Sequence, residues 1–73
     1  MSRWFQDYRQ AHIIETLKAQ GWIQRADIAE RFDISIAQAS IDLRRYQAEN
    51  PGAIAYNKTT KRYEVVPPVR HRR

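Results

Sequence analysis

The sequence predicts a mainly helical domain with a small β-hairpin, and three observations carry that prediction. Apolar residues recur at helical spacing in three segments before residue 50. Pro51 and Gly52 then end the helical pattern. Beyond them, two short segments alternate apolar and polar residues around a basic stretch, as hairpins do. With 73 residues and no cysteine, we expect one small domain held by a single apolar core.

Ser2 is predicted to cap a first helix that runs to about Gln20, because Gly21 provides a natural C-terminal stop. Ile13, Ile14 and Leu17 are predicted to share its core face. At 100° per residue, three aromatic side chains fall on roughly the opposite face. We expect this aromatic patch to form a homodimer contact, and the alternatives are that the helix begins later than Ser2 or that the rings cover the hairpin. Its members are Trp4, Phe5 and Tyr8.

A two-residue extended segment at 22–23 separates this helix from a second one, predicted over about 25–32. Its buried side is expected to include Ile28, Ala29 and Phe32. Asp33 stands where the following turn needs a left-handed residue, a conformation that Asp tolerates. Ile34 is expected to fill the core after the turn.

Ser35 is predicted to cap a third helix that continues to about Glu49, with Gln38 completing a capping box. Asp42 is predicted to pair with Arg45 on the next turn and to lie away from any phosphate. The core stripe of this helix is predicted to consist of Ala39, Leu43 and Tyr46.

The hairpin is predicted to have strands at about 53–56 and 61–66 and a polar, basic tip at 57–60. The segment 22–23 is expected to add a third strand. The order helix, short strand, helix, helix, hairpin is that of a winged helix-turn-helix, with the hairpin as the wing. We expect this domain to occupy residues 1–66 and a disordered basic tail to occupy 67–73.

The positive charge is concentrated in the last third of the chain. Residues 1–50 carry seven Lys/Arg and seven Asp/Glu, whereas residues 51–73 carry six Lys/Arg and the single acid Glu64. The formal net charge is +5. A basic C-terminal third suits a polyanionic partner such as nucleic acid, and a merely solubilising tail is the alternative.

The stretch from Arg9 to Tyr63 resembles the N-terminal winged-helix domain of bacterial WYL-domain transcriptional regulators, including those associated with phage-defence operons. The likeness rests on Gly21 to Ile28, Phe32 to Tyr46, Pro51-Gly52 and Tyr56 to Tyr63. A looser likeness is to the DeoR-type winged helix. The resemblance implies DNA binding and control of transcription, with repression the expected sense.

The WYL domain and the dimerising C-terminal domain of those regulators have no counterpart in these 73 residues. Ligand sensing and dimerisation are therefore not implied by the resemblance. The chain is expected to be either a stand-alone relative or an excised DNA-binding domain.

The start of the third helix is expected to enter the DNA major groove. Gln38 can pair bidentately with adenine unless its capping role holds it, and Ile36 or Ala37 can contact a thymine methyl. Ile36 and Ile41 have the alternative of being simply exposed or packed on a partner protein. The residues predicted to contact DNA from this helix are Ile36, Ala37, Gln38, Ser40, Ile41, Arg44 and Arg45.

Phosphate contacts are expected from the helix N-terminus at Ser35 and from Arg25, for which pairing with Asp27 or Glu30 is the alternative. The wing tip is expected to contact phosphate or the minor groove, unless it is an ordinary solvated turn. The tail at 70–73 can extend it as a basic arm. The predicted wing residues are Lys58, Thr59, Thr60, Lys61 and Arg62.

We therefore expect a transcriptional regulator that binds double-stranded DNA sequence-specifically, with a homodimer on an inverted repeat. A protein–protein adaptor and an architectural factor in phage or plasmid recombination are the alternatives. No enzyme, cofactor, metal or small-molecule site is expected, and His12 is predicted to be solvated. No apolar run approaches the about 20 residues of a membrane span and no signal-peptide pattern opens the chain, so a cytoplasmic protein is expected.

Overall fold

The computed structural model describes the backbone of residues 2–67 and the side chains of residues 5–67. The elements follow in the predicted order. The expected tail beyond residue 67 and the side chain of Trp4 lie outside the described residues. The helices and strands are α1 (Ser2–Gln20), β1 (Trp22–Ile23), α2 (Arg25–Phe32), α3 (Ile36–Glu49), β2 (Ile54–Asn57) and β3 (Arg62–Val65).

The strands form one antiparallel sheet in the order β1-β3-β2, so the short strand before α2 joins the hairpin as predicted. Tyr56 lies opposite Tyr63, and Ile54 lies opposite Val65. Because side chains alternate between the two faces of a strand, these four share the face that covers the core. Trp22 and its partner Glu64 lie on the outer face. Three helices and this sheet confirm the winged helix-turn-helix fold.

The core lies where the three helices meet the inner face of the sheet. Phe32, Ile34, Tyr46 and Tyr63 are partly buried and pack around it. Asp33 has φ 54° and ψ 50°, so the turn between α2 and α3 is left-handed at the predicted position. The buried apolar side chains are Ile13, Leu17, Ile23, Ile28, Ala39, Leu43 and Ile54.

Two predictions for α1 are wrong. Ile14 does not belong to the core face, and Phe5 and Tyr8 do not lie opposite the core. Ile14 is 43% exposed, since it lies 100° around the helix from the fully buried Ile13. The rings of Phe5 and Tyr8 are not opposite the core but meet Phe32 of α2 edge-on, with centroids 6.2 and 6.4 Å apart. They nonetheless stay 38% and 57% exposed.

His12 is half-buried, whereas the sequence predicted a solvated side chain. Its ring packs edge-on against Phe32 with the centroids 5.3 Å apart. Burial lowers the pKa of His12, and the nearby Arg31 guanidinium lowers it further. The histidine is therefore part of the α1–α2 contact rather than of the solvated surface.

The predicted pairing of Asp42 with Arg45 is also wrong. Asp42 is buried and accepts two hydrogen bonds from Arg9 of α1, from Nε at 2.6 Å and from Nη2 at 3.1 Å. Arg45 instead pairs with Glu49 at 3.3 Å and donates to Gln6 at 2.8 Å. A buried carboxylate gains more from a fork of two donors than from one exposed cation on the next turn.

Within residues 2–67, no helix combines the length and the apolar character needed to cross a lipid bilayer.

Candidate nucleic-acid interface

The third helix begins as predicted at Ser35, whose hydroxyl accepts a hydrogen bond from the Gln38 backbone N–H at 3.0 Å. The second half of the expected capping box is not formed. The Gln38 side chain instead donates through Nε2 to Asp42 Oδ1 at 3.2 Å. A carboxylate only accepts hydrogen bonds, so this contact fixes which end of the Gln38 amide faces Asp42.

One side of α3 faces α1 and is strongly polar. Arg9 holds the Asp42 carboxylate, and Gln10 donates to the Asp42 backbone carbonyl at 2.9 Å. Further along, Gln6 accepts from Arg45. We call this side the α1 side, and it comprises Gln38, Asp42, Arg45 and Glu49. Gln38 is half-buried there, so it does not project outward like its neighbours.

The other side of α3 is turned to solvent, and we call it the open face. Ile36 is 47% exposed and Ile41 is 49% exposed. Ala37 and Arg44 are exposed, and Ser40 is half-buried beside them. Both acidic residues of α3 lie on the α1 side, so the open face carries a cation without a competing anion. The open face consists of Ile36, Ala37, Ser40, Ile41 and Arg44.

Arg25 links α2 to the open face and to the wing. Its Nη1 lies 3.5 Å from Ser40 Oγ, and its guanidinium lies 5.9 Å from the centre of the Tyr56 ring. Tyr56 in turn packs on its cross-strand partner Tyr63, with centroids 4.9 Å apart. Among the described residues, Arg25 thus forms no ion pair with Asp27 or Glu30, which was the alternative to a phosphate contact.

At the start of α2, Gln24 and Asp27 are joined through the Gln24 backbone, whose carbonyl accepts from the Asp27 N–H at 3.0 Å. The Gln24 backbone N–H donates to Asp27 Oδ2 at 3.4 Å. Asp27 is therefore occupied at the helix terminus, which explains why Arg25 is left to reach across to α3. The residue types here gave little signal, because Gln is a weak N-cap compared with Ser, Thr, Asp or Asn.

A shallow groove joins the helix-turn-helix to the wing. It is lined by Gln24, Arg25, Ala26, Ile36 and Lys61. Two cations therefore line a concave surface next to the start of α3. That arrangement suits a phosphate chain passing between the recognition helix and the wing.

The wing tip is a preformed turn rather than a loose loop. Asn57 Oδ1 accepts from the backbone N–H of Thr59 at 2.9 Å and of Thr60 at 3.2 Å. Lys61 has φ 60°, a left-handed conformation that closes the turn. Asn side chains often shape turns in this way. The exposed side chains that the turn presents are those of Lys58, Thr59 and Lys61.

Two of the predicted wing residues, Thr60 and Arg62, are engaged within the three-stranded sheet. The Thr60 hydroxyl donates to Glu64 at 3.1 Å, and Asn57 Nδ2 donates to the same carboxylate at 3.2 Å. The Arg62 guanidinium lies 4.2 Å from the centre of the Trp22 ring, in a cation–π contact between β3 and β1. Glu64 and Trp22 thus position the wing, although neither was predicted as a site residue.

The helix-turn-helix has a further positioning residue in Arg9, which sequence reasoning missed. Its signal was present, because Arg9, Ile13 and Leu17 recur every four positions on one face of α1. A cation in a core stripe requires a buried anion as its partner, and Asp42 of α3 is that anion. Within residues 5–67, no cluster of three or more His, Asp or Glu side chains is arranged to hold a metal ion.

Comparison with known proteins gives one family. Residues 3–69 match the model of the BrxR transcriptional regulator winged helix-turn-helix domain. The chain is also 34% identical over 62 residues to the DNA-binding transcriptional repressor CapW of Escherichia coli, and to the same repressor of Escherichia coli strain KTE188. This alignment covers 85% of the chain but only 21% of CapW. The resemblance to regulator winged-helix domains is thereby confirmed.

Proposed function

Because the chain belongs to the family of BrxR transcriptional regulator winged helix-turn-helix domains, we propose that it binds double-stranded DNA sequence-specifically and represses transcription. The open face of α3 enters the major groove, and the wing contacts phosphates or the minor groove. The observation that carries the proposal is a continuous surface that runs from Ile36 and Arg44 through Arg25 to Lys61. This surface is cationic, and neither acidic residue of α3 lies on it.

The proposal assigns base contacts and phosphate contacts to different residues. Base edges are read from α3 by Ile36, Ala37 and Ile41, because a recognition helix contacts bases from its first turns. Arg44, one turn past Ser40, contacts a base or a phosphate. Arg25, Lys58 and Lys61 hold phosphates, and the amides after Ser35 help to fix the register. Arg45 is left out of this interface, since its side chain lies on the α1 side.

Repression is supported by the name of the relatives, which are DNA-binding transcriptional repressors. The chain spans about a fifth of their length. A single small domain buries a limited area on DNA, so we propose that two copies bind an inverted repeat. The aromatic patch around Phe5 and Tyr8 is the proposed contact between copies, because both rings remain partly exposed beside Phe32.

The direct test is selection of bound sites from a random duplex pool by the purified chain, followed by affinity measurement on the enriched site. We expect one enriched motif and binding that weakens linearly in log K against log salt concentration. Failure to enrich any motif, with binding insensitive to salt, would support a protein–protein adaptor instead.

Arg44 and Arg45 are neighbours of equal charge about 100° apart around α3, with Arg44 on the open face and Arg45 on the α1 side, which makes them a matched pair. Arg44→Ala should weaken binding to the enriched site by about tenfold or more, because it removes a contact to a base or phosphate. Arg45→Ala removes the same net charge from the α1 side and should cost much less. Equal losses in both variants would contradict the proposed orientation of α3.

A further inference from the structure

The open face of α3 offers mainly apolar side chains and few hydrogen-bonding groups. This composition determines which bases it can recognise. Ile36 and Ile41 are each about half exposed, and Ala37 lies beside them. The Ser40 hydroxyl faces Arg25 at 3.5 Å, and the Gln38 amide nitrogen is held by Asp42. We propose that Ile36 and Ile41 read the C5-methyl groups of thymine in the major groove.

This inference rests on the proposed DNA binding and deepens it. Isolated exposed isoleucines are ordinary on protein surfaces and need no explanation. Here, however, Arg44 lies between the two around the helix, Arg25 and Lys61 line a groove beside Ile36, and the acids of α3 are turned to α1. Charge complementarity therefore brings a phosphate backbone next to Ile36, Ala37 and Ile41, which we call the apolar strip, and places the strip against base edges.

Thymine is the one base that presents a methyl group in the major groove. An isoleucine packed on that methyl removes apolar surface of both partners from water. The same isoleucine packed on guanine, cytosine or adenine would cover polar groups without giving them a partner, which costs free energy. The strip therefore favours T·A pairs at the positions it covers.

The two isoleucines require separate methyl groups. They are five positions apart, which corresponds to about 7.5 Å along the axis and about 140° around the helix. Side chains that diverge in this way do not converge on a single methyl. We therefore infer at least two contacted thymines in each half-site.

The test replaces thymine by uracil in the enriched duplex, which removes the methyl and leaves base pairing intact. At each contacted position we expect the dissociation constant of the full chain to rise about fourfold. Ile36→Ala and Ile41→Ala should each abolish the preference for thymine over uracil at one position. The matched control is Ile14→Ala, which removes an isoleucine of α1 that is 43% exposed and should leave every preference unchanged.

The outcomes distinguish failure of the thymine-methyl proposal from failure of the proposed DNA binding. An enriched, salt-sensitive site that binds equally well with uracil throughout would overturn the methyl reading and leave DNA recognition standing. A thymine preference that persists in both isoleucine variants would do the same. A pool without any enriched site would contradict DNA recognition itself, and the methyl reading with it. Circular dichroism melting of each variant confirms that the fold is intact.

Discussion

Apart from the apolar core stripe of Ala39, Leu43 and Tyr46, the two other sides of α3 reverse the usual relation between burial and polarity. On the α1 side, Asp42 is buried in a charged pair with Arg9, and the Gln38 amide is half-buried beside it. The open face is exposed and carries Ile36, Ala37 and Ile41. An ordinary amphipathic helix would place its apolar residues inward and its polar residues in water.

The difference shows how the helix is divided between holding and binding. A buried ion pair contributes little net stability but tolerates only one geometry, so it fixes how α3 sits on α1. The exposed apolar strip does not stabilise the free protein. Its burial is favourable only when a partner covers it and removes it from water. The positions that hold α3 and those proposed to contact DNA are therefore different residues of one helix.

The largest effect is expected from breaking the α1 side. Asp42→Ala leaves Arg9 buried without a counter-ion, and the free energy of unfolding should fall by about 3–5 kcal/mol. Urea denaturation followed by circular dichroism measures this loss. The matched control is the double variant Arg9→Met with Asp42→Leu, which should recover most of the stability. A loss below about 1 kcal/mol in Asp42→Ala would show that the pair does not anchor α3.

A second contrast compares two aliphatic residues of α3 that are two positions apart. Leu43 is fully buried and Ile41 is 49% exposed. Leu43→Ala should therefore lower the free energy of unfolding by about 2–5 kcal/mol, because it leaves a cavity in the core. Ile41→Ala should change it by about 0.5 kcal/mol at most. Comparable losses would mean that Ile41 packs within the protein and is not available to DNA.

Gln38 lies at the boundary between the two sides, and its substitution tests to which side it belongs. Its side chain donates to Asp42 but is only half-buried. Gln38→Ala should cost about 1 kcal/mol of stability, since Asp42 keeps both bonds from Arg9. A base preference that changes at one position of the enriched site would additionally identify Gln38 as a reader. An unaltered preference would restrict Gln38 to positioning.

The smallest effect concerns pH and the contact of α1 with α2. His12 has a lowered pKa in the folded chain, so the unfolded chain binds more protons as the pH falls through the ordinary histidine range near 6.5. Stability should therefore decrease slightly on acidification from pH 7.5 to 5.5. His12→Gln should reduce this dependence in thermal melts. An unchanged pH dependence in the variant would assign it to other groups.

The third strand was predicted from the order of the elements, and local patterns were enough to predict the helices, the Ser35 cap and the left-handed Asp33. These features depend on neighbours within about four residues, which a sequence displays directly. The partner of Asp42 was not predictable in this way, because Arg9 is 33 positions away and local rules favoured Arg45. Likewise, Phe5 and Tyr8 were placed too far from the core because helical spacing gives angles but not the neighbouring helix.

The candidate site was predictable as a set of residues but not as a set of orientations. The sequence indicated the small-sided start of α3 and a basic wing. It did not indicate that Gln38, Thr60 and Arg62 are engaged by Asp42, Glu64 and Trp22. Such engagement depends on which side chains the tertiary fold brings together, and it narrows the predicted interface to the open face, Arg25, Lys58, Thr59 and Lys61.

The most direct test of the central claim is methyl NMR of the isoleucines during titration with the enriched duplex. The account predicts large shifts and contacts to thymine methyl protons for Ile36 and Ile41, whereas the signals of Ile13 and Ile14 on α1 stay in place. Shifts concentrated at Ile14, with Ile36 and Ile41 unchanged, would contradict the assignment of the open face as the surface that reads DNA.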